Sequence, residues 1–302
     1  MTTMHIAVTG SSGLIGRRLV SHFQQRDYRV TRLVREDAGD SELLWEPAAG
    51  RLDCQSLVDC DAVVHLAGES LAEGRWSAEK KQQILKSRVE STRLLSRGLA
   101  TLNNGPRIFI SASAVGYYGD CGNQELDEQS PVGSNYLADV CRQWEAATET
   151  AKSAGIRVVN LRIGVVLAKE GGALKKMLTP FRLGLGGRIG NGRQYWSWIA
   201  IDDLISIIDY ALVLDKIVGP VNAVAPHPAT NRQFTKTLGR VLRRPTLFPL
   251  PAFMARSLLG EMADALLLSS AQVLPRHLID HGYGFQFGEL EAALRHILSR
   301  EK

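Results

Sequence analysis

A chain of 302 residues, 45% of them hydrophobic, can pack one large α/β domain with an appended lobe, which excludes disordered and fibrous classes. The formal charge of +5 invites a nucleic-acid reading, but no Lys/Arg run exceeds two and Asp/Glu are interspersed, so the excess is assigned to cofactor and substrate anions and to solvated faces. Four cysteines, Cys54, Cys60, Cys121 and Cys141, lack a C-x-x-C pair or His partners at zinc spacing, which predicts reduced thiols and no metal site.

His5 to Thr9 is the first β-branched apolar run, entered with no basic-then-apolar leader before it. Directly after it Thr9-Gly10-Ser11-Ser12-Gly13-Leu14-Ile15-Gly16 opens the helix-period stretch Leu14 to Gln25. Each glycine has its own reason: a positive φ at the tight turn for Gly10, backbone access to a pyrophosphate at Gly13, and close helix–sheet packing at Gly16. The helix N-terminus then presents its N–H groups to the phosphates, so Gly10, Ser12, Gly13, Leu14, Ile15 and Gly16 are expected cofactor contacts. The second strand, Arg29 to Val34, ends Arg32-Leu33-Val34-Arg35. No carboxylate stands there to hold a ribose 2′-OH, and Arg35 offers a guanidinium to a 2′-phosphate, which favours NADP(H) over NAD(H). The alternative is a solvated arginine in a loop.

Ala62 to Leu66 is the next strand, followed by the small Ala67 and Gly68, which let the backbone approach a cofactor; His65 reads as a core histidine. Ala78 to Ala100 is helical, then come a strand at Arg107 to Ser111, a helix at Asn135 to Ala154 and a strand at Arg157 to Leu161. This alternation is the mark of βαβ units and predicts a Rossmann-type doubly wound parallel sheet. From Gly164 the texture changes to a glycine-crowded segment, predicting a smaller C-terminal substrate lobe. Residues 1–165, with parts of 200–225, are assigned to the dinucleotide-binding domain, 166–250 to the substrate lobe and 251–302 to a C-terminal helical segment. That last segment, with helices at Ala252 to Leu259 and Glu289 to Ser299, either caps the lobe or carries an oligomer contact such as a homodimer. Within the lobe, Arg188, Arg193, Tyr195 and Trp196 combine guanidinium forks and aromatics, as a pocket for an anionic small molecule requires; an ordered loop packing Trp196 and Trp198 is the alternative. Asp202-Asp203 reads as a helix N-cap. No apolar stretch is long enough for a bilayer span, and the expectation is a cytoplasmic protein with a small-molecule substrate and neither a nucleic-acid nor a membrane partner.

The glycine turn, the Leu66-Ala67-Gly68 stretch and Ser111-Ala112-Ser113-Ala114-Val115-Gly116-Tyr117-Tyr118-Gly119 together resemble the extended and atypical short-chain dehydrogenases/reductases. Arg75-Trp76, Ser87-Arg88, Trp144-Glu145, the 180–187 run, Trp198-Ile199 and Gln272-Val273-Leu274-Pro275-Arg276 resemble the epimerase-like branch of YfcH type, over essentially the whole chain. The resemblance implies cofactor contacts at Arg35, Leu66, Ala67, Gln83, Arg88, Gly164 and Val165. It also implies hydride transfer on a carbonyl or nucleotide-sugar-type substrate, with a Ser orienting the carbonyl and a Tyr moving the proton beside a Lys four residues on. Ser113 and Tyr136 match the first two. The Lys position is Val140, and no Lys occurs from Asn135 to Glu149. An unassisted phenol has a pKa near 10, which leaves three readings: Tyr136 assisted by Arg88 or Arg162, replacement by Tyr117 or Tyr118, or an NADPH-binding regulator with a degenerate site. Asp127 and Glu128 either serve as acids or cap a loop.

Overall fold

Strand β1, His5–Thr9, is buried along its whole length, as befits a run apolar on both faces. In the computed structural model, which describes residues 3–36, 39 and 41–299, β2 (Arg29–Val34) lies beside it and β3 (Glu42–Glu46) beyond that; β4 (Arg51–Leu52) folds back antiparallel on β3. On the other side of β1 follow β5 (Ala62–His65), β6 (Ile108–Ala114), β7 (Arg157–Ile163) and β8 (Gly219–Ala223), all parallel. The spatial order is therefore β8-β7-β6-β5-β1-β2-β3-β4. The chain runs outward from β1 on one side, then crosses to β5, and this reversal opens a crevice at the carboxyl ends of β1 and β5.

Helix α1 (Leu14–Gln25) lies over one face of the sheet with α6 (Ile201–Val213), and α2 (Ala78–Ala100), α3 (Tyr136–Ala146) and α4 (Glu149–Ser153) lie over the other. The strand residues divide between these faces with period two. Ile6 and Val8 pack with Leu19, Phe23 and Ile208, whereas Ala7 and Val63 pack with Leu95, Leu99 and Ala151. A separate cluster joins Trp198 and Phe181 of α5 (Gly172–Arg182) to Phe234 of α7 (Asn231–Leu242) and Leu294 of the last helix, Leu290–Ser299. The short pair Val165–Leu167 and Trp198–Ala200 runs between them. Helix α8, Ala252–Leu259, follows α7.

The structure alters three expectations. The helix read over Asn135 to Ala154 is two helices, joined by a turn in which Ala147 N and Thr148 N donate to Trp144 O and Glu145 O and the Thr148 hydroxyl also donates to Glu145 O at 2.7 Å. Strand β3 and the edge strand β4 beyond it lack the alternation that would have announced them. Ala200 rather than an aspartate caps α6; Asp203 in its first turn instead accepts from Gln286 N and Phe287 N, both at 2.9 Å. Among the described residues no helix is long and apolar enough to cross a membrane.

Candidate functional site

The turn after β1 has the geometry its glycines imply. Gly10 has φ +68°, and a Cβ there would lie 2.8 Å from Ala67 N. At Gly16 a Cβ would lie 2.1 Å from Gly10 O, so α1 can cross the turn only without a side chain. Gly13, the N-cap of α1, has only Gly10 O near its missing Cβ, at 3.2 Å, and is exposed together with Ser12. No side chain caps α1. Its first N–H groups therefore face the opening without an internal acceptor, the condition under which a helix N-terminus takes phosphate.

Thr9 pins β5 beside the turn: its hydroxyl takes Leu66 N at 3.2 Å and Ala67 N at 3.3 Å and meets His65 Nδ1 at 2.7 Å. Complete burial drives the His65 pKa down to about 3, so the ring is neutral and bridges on to Ser91 at 3.3 Å. It is a core histidine.

From Ile15 and Leu66 a cleft of about 400 Å³ runs along the strand ends past Arg88 and Ser113 to Gly164, Val165, Tyr195 and Trp196, and Leu266, Ser269 and Ala271 border its far side. Arg88 is buried, and its guanidinium is aimed by bonds to Ile84 O (3.2 Å) and Glu69 O (2.9 Å), over Trp144 and against Gly68. Gly164 is held by backbone: a Cβ would fall 2.5 Å from Ser197 O.

Ser113 donates its hydroxyl to Glu145 Oε1 at 2.7 Å, and Arg162 grips the same carboxylate through Nε and Nη2, both at 2.9 Å. Arg162 continues to Tyr118 Oη at 2.9 Å and lies 3.5 Å above the Tyr117 ring; Tyr118 donates to Asn222 at 2.7 Å. A carboxylate only accepts, so the Ser113 proton is committed to Glu145 and the serine lone pairs are left for the cleft. That reverses the polarity of a serine that donates to a carbonyl.

The remaining expected residues fall as follows. Tyr136 is outside the cleft: its hydroxyl donates to Lys81 O at 2.5 Å, its ring meets Trp76 edge-on, and burial raises its pKa to about 12. The face of α3 that lines the cleft is Leu137, Val140, Cys141 and Trp144; Leu137 and Cys141 stand four apart, as the Tyr and Lys of a dyad would. Burial pushes the Cys141 thiol up to about 12. Tyr118 is fully buried with its pKa raised to about 12 by burial, and Tyr117 stacks beneath Arg162; neither lines the cleft, so Tyr195 is the tyrosine that does. Arg35 is exposed just past β2, whose Leu33 pairs with Thr9, which sets it beside the turn. Gln83, Arg188 and Arg193 are exposed and off the cleft lining; Tyr195 and Trp196 are on it. Asp127 closes its own turn with Ser130, and Glu128 accepts from Asn222 N and His277 N. Glu145 follows Leu137 and Cys141 by steps of four along the same helical stripe, a periodic signal that the sequence carries for its place near Ser113. Among the described residues no group of three or more His, Cys, Asp or Glu is placed to hold a metal.

A parallel sheet with a glycine turn at its reversal point and a serine-bearing cleft across the strand ends defines a short-chain dehydrogenase/reductase-type fold. Residues 6–223 match the NAD dependent epimerase/dehydratase family, and residues 250–297 match a domain of unknown function, DUF1731. The chain belongs to that epimerase/dehydratase family. It is 41% identical to epimerase family protein ML0860 of Mycobacterium leprae, over 98% of this chain and 96% of that protein. The crystal structure of human epimerase family protein SDR39U1 with NADPH superposes with a TM-score of 0.90 at 35% identity, covering 98% of this chain and 100% of that one. A structure described as the nucleoside-diphosphate sugar epimerase from Corynebacterium glutamicum gives 0.82 at 36% identity, covering 98% of this chain and 58% of that one.

Proposed function

We propose that the protein binds NADP(H) along the turn at residues 10–16 and catalyses hydride transfer with a small alcohol or carbonyl substrate, nucleotide sugars being the first class to try. The observation that carries this reading is one cleft continuous from Ile15 at the turn to Ser113 and Tyr195. The NADPH held by the human relative supports it. Leu66, Ala67, Gly68, Arg88, Gly164 and Val165 would flank the cofactor, and Arg35 would meet its 2′-phosphate. Bound there, the nicotinamide supplies or takes the hydride. Ser113, its own proton given to Glu145, accepts a hydrogen bond from a substrate hydroxyl and orients it. Tyr195 is the phenol within the cleft, and Tyr136 holds α3 against α2 through Lys81. A second reading, an NADPH-binding regulator without turnover, is favoured by Leu137 and Cys141 standing at the dyad spacing.

Fluorescence titration with NADPH and NADH tests the cofactor assignment. Wild type is expected to prefer NADPH, and Arg35→Asp to lose that preference by about tenfold or more, because a carboxylate would repel the phosphate it replaces a partner for. An unchanged preference removes Arg35 from the site. Turnover of any sugar nucleotide that Ser113→Ala abolishes supports the enzyme; tight NADPH binding with no turnover across the class supports the regulator.

A further inference from the structure

Charge is not spread evenly along the chain, contrary to the expectation of interspersed acids. Between Glu170 and Asp202, and again between Asp215 and Glu261, there is no Asp or Glu but there are twelve Lys and Arg. The rest of the chain then has 24 of the 36 cationic residues against all 31 acidic ones. Charge is therefore polarised along the sequence, although Lys216 precedes sheet strand β8 and Arg240 and Arg256 pair with Glu291 and Asp264 from outside the two stretches.

The two acid-free stretches lie side by side. Leu250 N donates to Arg188 O at 2.8 Å, Gly190 N donates to Leu250 O at 2.9 Å, and Arg244 Nε donates to Arg182 O at 2.8 Å. Gly187 approaches so closely that a Cβ would fall 1.9 Å from Phe248 O. Among the described residues, seven of the eleven exposed large hydrophobic side chains fall within residues 183–185 and 247–258 of these stretches. The first stretch contributes Leu183 and Leu185, at 69% and 56% exposure, and the second Leu247 and Phe248, at 75% and 58%. Helix α8 adds Phe253 at 71% and Leu258 at 64%, with Met254 beside them. Prolines 245, 249 and 251 fix the backbone between these groups, so they are presented at little entropic cost.

Such a concentration of exposed apolar groups marks a surface that meets something, and its charge decides what. A second copy of the same face would bring arginine against arginine. A nucleic acid would satisfy the arginines and leave seven apolar side chains in water. An anionic bilayer supplies both halves, phosphates for guanidinium groups and an acyl boundary for leucine and phenylalanine. We propose that this face docks the protein peripherally on an anionic membrane surface. Leu247, Phe253 and Leu258 enter the headgroup–acyl boundary, and Arg243 and Arg244 lie among the phosphates.

Co-sedimentation of the full chain with large vesicles tests this. Vesicles of phosphatidylcholine with about 30% phosphatidylglycerol are expected to retain the protein about tenfold better than phosphatidylcholine alone, and added salt to weaken retention. Phe253→Ser with Leu258→Ser is expected to lose about fivefold or more of that retention, with thermal unfolding unchanged because both side chains already face water. Absent retention, or equal retention on neutral and anionic vesicles, overturns the proposal. So does a concentration-dependent dimer that the same double substitution dissociates, which would make the face a self-interface.

Discussion

A histidine sealed between Trp45 and Phe109 cannot gain a proton without placing a charge where no water reaches. The folded His65 pKa is about 3, against 6.5 for an unhindered imidazole. From pH 6.5 downward the unfolded chain binds this proton and the folded chain does not, so stability falls as pH falls, by up to ~1.4 kcal/mol per pH unit until the folded value is reached. Burial lowers His5 as well, and it acts in the same direction. Urea midpoints at pH 7 and pH 5 are expected to separate for wild type and to lie closer together in His65→Gln, where His5 alone remains; equal separation in both would remove His65 as the source. At this scale the sequence was informative where a residue's conformation or size decides its use. The tight turn at Gly10 and the close packing at Gly16 could be read from spacing, and His65 from its place inside an apolar run. Tyr136 could not, because its use depends on which way α3 is rotated, and one residue turns the helix by about 100°.

At the scale of elements, α1 and the turn before it separate two kinds of glycine. Gly16→Ala sets a methyl against backbone atoms, Gly10 O at 2.1 Å and Ser11 Cα at 2.7 Å, which cannot swing away. It is expected to cost about 1–3 kcal/mol of stability, seen as a lower denaturation midpoint, together with weaker NADPH binding as the turn shifts. Gly13→Ala meets only Gly10 O at 3.2 Å, at a φ of −73° that any residue adopts. Its stability is expected to stay near wild type while NADPH affinity falls. If both variants lose stability equally, the assignment of Gly13 to ligand approach fails. Helices α1 and α2 were legible to their end residues because each carries helix-period apolar positions with no proline inside, although the buried face of α2 also holds Arg88, Ser91, Thr92 and Ser96. The 135–154 stretch carried helix-period positions across the tightened turn at Ala147 and Thr148, which no periodicity announces.

Across the whole molecule, Ser113 on β6, Glu145 on α3, Arg162 on β7 and Asn222 on β8 form one buried polar chain, with Tyr118 between the last two. Asn222 carries it to the C-terminal segment, its side-chain amide donating to Leu274 O at 2.9 Å. Glu145→Leu would leave the Arg162 charge buried without its carboxylate and is expected to cost about 3–5 kcal/mol, measured by chemical denaturation. Restoration toward wild type by adding Arg162→Met would attribute the loss to the unpaired cation; an equally unstable double variant would attribute it to packing.

The parallel sheet, the order of its first elements and the tight glycine turn after β1 were determined by the sequence itself, because hydrophobic period and glycine spacing are local signals read over a dozen residues. Tertiary structure alone decided which side chains share the cleft. Its lining comes from strand ends and loops that lie far apart in sequence, and helix rotation set Leu137 and Cys141, not Tyr136, toward Ser113. It also decided that two acid-free stretches meet as one face, since only the backbone bonds between residues 182–190 and 244–250 bring their charges together.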